Sequence, residues 1–219
     1  MKICIGIISY LPDEIEKRQI RFKQCQNLLE QCDSIFNVPI IIICQNYKDE
    51  VLYSKNLIRY DYEKLGIVNA RKTLRNKFLQ SDFDYIILND DDISIIGDYN
   101  EGQLFLQEIE RVNEQCIVQN ATLFSGFCIS KNLFSQIDIP NLEAANGEGF
   151  EDFAFYKILS FLINKTPRKI KTKIIFRHSF GTSTWGNKEL FLKSKQMQDH
   201  TLEYINKVIE EYKQQNTKE

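Results

Sequence analysis

The fold is decided by Phe83–Ile96, FDYIILNDDDISII, in which three consecutive aspartates separate two apolar runs. The run YIIL predicts a short buried strand before the aspartates, and ISII predicts another after them. Adjacent carboxylates repel one another and are costly to bury unless something positive lies against them. The segment therefore predicts a strand end at which Asp90, Asp91 and Asp92 meet an arginine, a lysine or a metal ion.

Apolar runs and helical segments alternate on the amino-terminal side of the aspartates. Residues 2–8 (KICIGII) and 38–44 (VPIIIIC) read as strands that are covered on both faces, and 56–60 (NLIRY) as a shorter strand. Helical spacing lies between them, from Pro12 to Cys32 and from about Gly66 to Leu79. The alternation predicts an α/β fold whose first half is a parallel layer with right-handed crossovers.

The carboxyl-terminal half adds further elements without a repeat or a clear linker. In order, we expect a helix at 101–116, a strand at 121–130, a loose segment at 138–149, an apolar helix at 150–164, a strand at 171–176 and a Gly/Ser/Thr loop at 178–187. A long polar helix follows from about residue 188. We therefore predict one domain over residues 1–219.

Composition narrows the class of protein. Apolar residues make up 43% and charged residues 26%, and the net charge of -2 gives no bulk attraction to nucleic acid or acidic membranes. The six cysteines form no CxxC pair, so they predict buried thiols in a reducing compartment. No apolar stretch approaches the roughly 20 residues that span a bilayer, and no signal peptide is apparent. We expect a cytoplasmic protein, with peripheral membrane association left open.

The aspartates are predicted to lie at the carboxyl end of the fourth strand, where open α/β sheets bind ligands. Alternate residues of an extended segment point to opposite sides, so Asp90 and Asp92 can face one ligand while Asp91 faces elsewhere. Carboxylate oxygens suit Mg²⁺ or Mn²⁺, which usually bring substrate phosphates with them. A solvated turn with exposed carboxylates is the alternative.

Four further residues carry chemistry in one interpretation and only structure in another. Glu151 and Asp152 open a predicted helix, where acidic residues cap free N–H groups, but a carboxylate there can also be a general base. His178 directly follows a predicted strand and is either a surface residue or a ligand of Mn²⁺. Arg71 begins a predicted helix and can bind a phosphate or simply pair with solvent.

The order of these pieces resembles the GT-A glycosyltransferases, especially the family-2-like and β-1,4-galactosyltransferase-like inverting enzymes. The matching stretches are GIISY, NARKTLRN, YIILNDDDI, FSGFCISKNLF, GFEDFAFYKIL and RHS, and they extend over the chain to about residue 187. The resemblance implies a GT-A, nucleotide-diphospho-sugar transferase fold with a mostly parallel central sheet flanked by helices. It also implies transfer of a sugar from a nucleoside-diphosphate sugar, UDP-sugar favoured, to an acceptor hydroxyl with inversion.

The same resemblance assigns roles residue by residue. Asp90, Asp92 and His178 correspond to the metal site for Mn²⁺ or Mg²⁺, Asp152 to the catalytic base, and Glu151 to the acceptor side. The residues assigned to the donor are Ser9, Tyr10, Gln45, Arg71, Asp90, Asp91, Gly126 and, in a candidate lid, Trp185. At Gly126 the family brings backbone close to the donor sugar, which a side chain would obstruct.

Departures and rival interpretations remain. Cys44-Gln45 stands where many family members carry an acidic residue that reads the base, and little of the chain is left for an acceptor pocket. Asp90-x-Asp92-x-Ser94 also fits the nucleophile motif of haloacid-dehalogenase-type phosphohydrolases, although that motif belongs on the first core strand. A nucleotidyltransferase would need a basic, Gly-rich loop where GIISYLPDE is acidic. A non-catalytic nucleotide-sugar binding module is the third alternative.

Overall fold

A computed structural model describes residues 1–113, 116–118, 125–140, 142, 151–170, 172–178 and 188–216. Its strands are β1 (Ile3–Tyr10), β2 (Ile40–Gln45), β3 (Leu57–Tyr62), β4 (Tyr85–Asp90), β5 (Ile93–Ile96), β6 (Cys116–Val118), β7 (Ser125–Ser130), β8 (Arg168–Lys169) and β9 (Ile175–His178). Its helices are α1 (Ile15–Ile35), α2 (Ile67–Gln80), α3 (Tyr99–Val112), α4 (Lys131–Gln136), α5 (Glu151–Leu162) and α6 (Lys188–Asn216).

The central sheet has the order β3-β2-β1-β4-β7-β6-β8. The four strands β3, β2, β1 and β4 are parallel, so their carboxyl ends meet at one edge of the sheet. Strand β7 runs antiparallel to both β4 and β6, and β8 is parallel to β6. A separate ribbon pairs β5 with β9 in antiparallel register, with Ile93 opposite His178.

Two hydrophobic clusters cover the two faces of the sheet, which explains the continuous apolar runs of its central strands. On one face, Ile7 and Ile87 belong to the same buried cluster as Leu28 of α1, Phe105 of α3 and Phe176 of β9. The cluster on the other face joins residues of β1, β2, β4 and β7 to helices α2, α4 and α5, and its buried phenylalanines are Phe78, Phe127, Phe134 and Phe155. The aspartate triplet therefore comes at the end of a strand, β4, whose earlier residues are held in place by packing on both faces of the sheet.

The predicted α/β architecture is confirmed, with local differences. The helical pattern predicts a helix up to Cys116, but α3 ends at Val112 and Cys116 lies in β6. Asn113 explains the earlier end, because its φ of 47° is left-handed, a conformation that asparagine tolerates and that terminates helices. The short elements α4 and β8 are not predicted. In the part of the chain that the structure describes, no helix has the length and apolar content to span a membrane.

The last strand is displaced from its predicted position. The sequence pattern predicts a strand at residues 171–176, whereas β9 covers Ile175–His178. Its bounds are set by the ribbon, since all four residues of β9 pair with β5. His178 consequently lies inside the strand and not in the loop after it.

Candidate functional site

Asp91 is the buried member of the aspartate triplet. It follows the end of β4, and its carboxylate accepts hydrogen bonds from Ser9 Oγ at 2.7 Å and from the backbone N–H of Tyr10 at 3.3 Å. Because β1 and β4 are adjacent and parallel, with Ile8 opposite Asp90, the ends of both strands deliver these groups to one point. Burial raises the pKa of Asp91 to about 6, against the opposing effects of Arg21 and Ser9.

Asp90 faces α2. Arg71 Nη2 lies 3.2 and 3.3 Å from its two carboxylate oxygens, and the Arg71 side chain is almost completely buried. Burial raises the pKa of Asp90, while the charge of Arg71 acts in the opposite direction. The arginine that the sequence assigns to the donor therefore also holds the first aspartate of Asp-x-Asp.

Asp92 and His178 are close together, and both side chains are partly exposed. Nδ1 of His178 is 3.4 Å from Asp92 Oδ1, and the two side chains are 48% and 18% exposed. Asp92 raises the pKa of His178. Burial acts to raise the pKa of Asp92, but His178 and Arg21 outweigh it and hold that pKa below its usual value. The expectation that Asp90 and Asp92 face one ligand stays a prediction, since Asp90 meets Arg71 whereas Asp91 and Asp92 both contact Arg21.

Arg21 is a site residue that the sequence interpretation missed. From α1, its Nη1 lies 3.3 Å from Asp91 Oδ1 and 3.4 Å from Asp92 Oδ2. Burial lowers the pKa of Arg21, but the three carboxylates of the triplet more than compensate and raise it. The only signal in the sequence was its place in the helix directly after β1, whose start lies near the carboxyl edge of the sheet.

Tyr47 is a second missed residue, and it supports Ser9. Its hydroxyl lies 2.7 Å from Ser9 Oγ; because Ser9 donates its own proton to Asp91, the Tyr47 O–H donates to Ser9. Arg59 packs over the Tyr47 ring at 5.1 Å. The chain Tyr47–Ser9–Asp91 fixes the middle aspartate and, through the backbone, its two neighbours.

Two residues assigned to the donor have partners within the protein. Gln45 is buried, and its Oε1 accepts from the backbone N–H of Leu65 at 2.9 Å. Gly126 has a φ of 77°, and a Cβ there would lie 2.3 Å from Phe176 Cδ2, so the glycine is required by packing before any donor is considered. Contacts of either residue with a donor remain predictions.

The acidic helix start lies at α5, as the sequence predicts. Asp152 accepts a hydrogen bond from the backbone N–H of the next residue, Phe153, at 2.7 Å, within the first turn of the helix. Its role as a base stays a prediction. Trp185 and the side chain of Glu151 lie outside the described residues.

The donor set fits a divalent ion that completes its shell with substrate. Within the described ranges, no group of three or more His, Cys, Asp or Glu side chains is arranged to hold a metal ion. Mg²⁺ and related hard ions are, however, commonly bound through one or two carboxylates together with substrate phosphates. The adjacent Asp92 carboxylate and His178 imidazole would supply one oxygen ligand and one nitrogen ligand, whereas Asp90 is engaged by Arg71.

Comparison with solved structures found similar chains. A mannosyltransferase from Pyrobaculum calidifontis, in complex with GDP-Man and Mn²⁺, is similar with a TM-score of 0.55 and 9% identity over 94% of this chain. This chain spans 64% of that protein. A 4-diphosphocytidyl-2C-methyl-D-erythritol synthase from Anaerococcus prevotii has a TM-score of 0.47 and 9% identity, covering 90% of this chain and 96% of that one.

No protein-family model matches the sequence, and no curated protein is similar to it. The likeness to the mannosyltransferase shows the fold. The chain has the α/β, GT-A fold of nucleotide-diphospho-sugar transferases, with a mostly parallel central sheet flanked by helices. This confirms the fold class that the sequence predicts.

Proposed function

We propose that this chain is a metal-dependent glycosyltransferase that moves a sugar from a nucleoside-diphosphate sugar to an acceptor hydroxyl. The observation that carries the proposal is the contact between Asp92 and His178. Asp92 lies just after the carboxyl end of β4. In open α/β sheets this edge is where ligands bind. Arg71 pairs with the neighbouring Asp90, and in this proposal its positive charge also offsets the charge of the donor phosphates.

Asp92 and His178 would hold the cation, Mn²⁺ or Mg²⁺, with Asp90 adjacent. When bound, the ion supplies positive charge for the diphosphate that leaves the sugar. Ser9 and Tyr47 contribute by orienting Asp91, and through it the turn that presents Asp92. The half-exposed His178 leaves one side of the pair accessible to a ligand.

Asp152 is the base in this proposal, and Glu151 lies on the acceptor side. Support comes from the match of the Glu-Asp pair to the acidic helix start of inverting enzymes and from its observed position at the start of α5. A carboxylate there would accept the proton of the acceptor hydroxyl as it attacks the anomeric carbon, which gives inversion.

The donor that we propose to test first is a UDP-sugar, as the sequence resemblance favours. The similar mannosyltransferase carries GDP-Man, so guanosine diphosphate sugars belong in the same test. Gln45 stays a predicted donor contact, and the hydrogen bond that its Oε1 accepts from the backbone of Leu65 does not decide between the bases. The acceptor stays open between a glycan, a lipid-linked sugar, a peptide and a nucleobase.

The phosphohydrolase alternative is less well supported by the geometry. It requires Asp90 as a nucleophile on the first strand of the core, whereas β4 is the fourth strand along the chain. Both oxygens of Asp90 are also engaged by Arg71 Nη2. A binding module that lacks catalysis shares every contact above and is separated from an enzyme only by assay.

The test is release of nucleotide from a panel of UDP-sugars and GDP-sugars in Mn²⁺ or in EDTA. We expect nucleoside diphosphate to be released in Mn²⁺ only, and Asp92→Asn to abolish the release. Asp82→Asn is the matched control, because Asp82 precedes β4 at the opposite edge and is exposed. Release of inorganic phosphate instead would support the phosphohydrolase, and binding without any release would support the non-catalytic module.

A further inference from the structure

Helix α1 places a guanidinium against the carboxylates of the metal site that we propose above. Arg21 Nη1 lies within ion-pair distance of Asp91 Oδ1 and of Asp92 Oδ2, at 3.3 and 3.4 Å. That nitrogen is buried and lies against both carboxylates. Both distances are long for a charge-assisted hydrogen bond, so the contacts are easier to give up than a short bidentate pair.

The two oxygens of Asp92 are divided between two partners. Oδ1 faces His178, and Oδ2 faces Arg21. A cation that is shared by Asp92 and His178 therefore meets a carboxylate whose negative charge is already partly neutralised. It also meets a positive charge only a few ångströms away, in surroundings where charges are weakly screened.

We propose that Arg21 is a built-in competitor of the divalent cation for Asp92, and that it makes tight metal binding depend on the diphosphate. Without nucleotide, Arg21 stabilises the acidic triplet and weakens the affinity for the ion. With nucleotide, the negative diphosphate offsets the repulsion between the guanidinium and the ion. The inference rests on the proposed function, because it assumes the metal site at Asp92 and His178.

Helix α1 also offers a matched control for the charge. Lys17 lies about one turn before Arg21, is exposed, and pairs with Glu14 on the helix surface. Lys17→Gln removes the same unit charge without touching the aspartates. Arg21→Lys keeps the charge at the site and tests whether the effect is electrostatic.

The experiment measures the dissociation constant of Mn²⁺ from its spin resonance signal, with and without UDP. We expect Arg21→Gln to bind Mn²⁺ about tenfold more tightly than the wild type without UDP, with a smaller gain when UDP is added. Lys17→Gln and Arg21→Lys should behave as the wild type does. The tight binding of Arg21→Gln should disappear when Asp92→Asn is added.

The outcomes separate the two proposals. Unchanged or weaker Mn²⁺ binding by Arg21→Gln, with a wild type that binds the ion at Asp92, overturns the role of Arg21 and leaves the proposed function intact. No Mn²⁺ binding by any variant, even with UDP, overturns both. If Arg21→Gln does not fold, the Arg21 side-chain N–H resonance of the wild type is followed during Mg²⁺ titration. The resonance should move as Mg²⁺ binds, and a stationary signal overturns the proposal.

Discussion

The imidazole of His178 lies 3.4 Å from the carboxylate of Asp92 because β5 and β9 form an antiparallel ribbon in which Ile93 is opposite His178. This pairing brings His178, which is more than 80 residues further along the chain, next to the turn after β4. The ribbon packs against the hydrophobic core, because Ile93, Ile95 and Phe176 are buried there. The pair is thus held by packing as well as by its own attraction.

Removing His178 should weaken metal binding without unfolding the protein. The side chain is half exposed, so His178→Ala loses little buried area. We expect Mn²⁺ affinity to fall by at least about tenfold, since even partners that only support metal ligands are worth that much. His200→Ala is the control, because His200 is the other of the two histidines and is exposed on α6. Equal Mn²⁺ affinity in both variants would remove His178 from the metal site.

Asp152→Asn separates a base from a helix cap. Asparagine keeps the shape and hydrogen-bonding reach of the side chain but cannot accept the acceptor's proton. We expect turnover to fall by about 10²–10⁴-fold with donor affinity unchanged. If Asp152 only caps the helix, turnover should be normal and the free energy of unfolding should fall by at most about 1 kcal/mol, because asparagine caps a helix almost as well as aspartate. Turnover and donor affinity measured in the same variant decide between the two roles.

Gly126→Ala should destabilise the fold more than Gly66→Ala does. Both glycines have positive φ, 77° and 76°, but a Cβ at Gly66 would meet nothing within 4 Å whereas at Gly126 it would overlap Phe176. We expect Gly66→Ala to cost about 1–3 kcal/mol from backbone strain alone, because its φ of 76° with ψ of 164° lies in a region that is essentially restricted to glycine. Gly126→Ala should cost about 1–3 kcal/mol more, as overpacked cores do. Urea unfolding of both variants measures the difference, and equal losses would show that Phe176 moves aside freely.

The fold was predictable from the sequence because its signals are local. Short, continuous, β-branched apolar runs such as 38–44 are typical of strands covered on both faces, and their alternation with helical spacing leaves few topologies. Asp92 and His178 were singled out from their positions at predicted strand ends, and the structure brings their side chains within 3.4 Å of each other. Their role as metal ligands stays a prediction.

Other parts of the site were not predictable, because they depend on how elements are rotated and docked. Arg21 reaches the triplet only because α1 turns that side toward the sheet edge, and the spacing of a helix does not fix this. The glycine at 126 was flagged for a donor, but the neighbour that requires it, Phe176, is brought there by the displaced strand β9. Gln45 similarly finds its partner in a loop backbone.

Substitutions along the hydrogen-bonded chain from Tyr47 through Ser9 to Asp91 should lower the free energy of unfolding by different amounts. Ser9→Ala removes the hydroxyl that donates to the buried Asp91 carboxylate at 2.7 Å. We expect the free energy of unfolding to fall by about 2 kcal/mol. Tyr47→Phe removes only the hydroxyl that supports Ser9, so a loss of about 1 kcal/mol is expected. Chemical unfolding measures both, with Tyr53→Phe as an exposed control. A larger loss for Tyr47→Phe than for Ser9→Ala would contradict the assigned donor directions.

The most direct test of the proposed metal site is the thermal stability of the wild type and Asp92→Ala with Mn²⁺, with UDP and with both. We expect the wild type to melt at a higher temperature with both ligands than the separate effects explain, because the diphosphate completes the shell of the ion. Asp92→Ala should lose this synergy, and the control Asp82→Ala should keep it. Equal synergy in the wild type and Asp92→Ala would contradict the metal assignment.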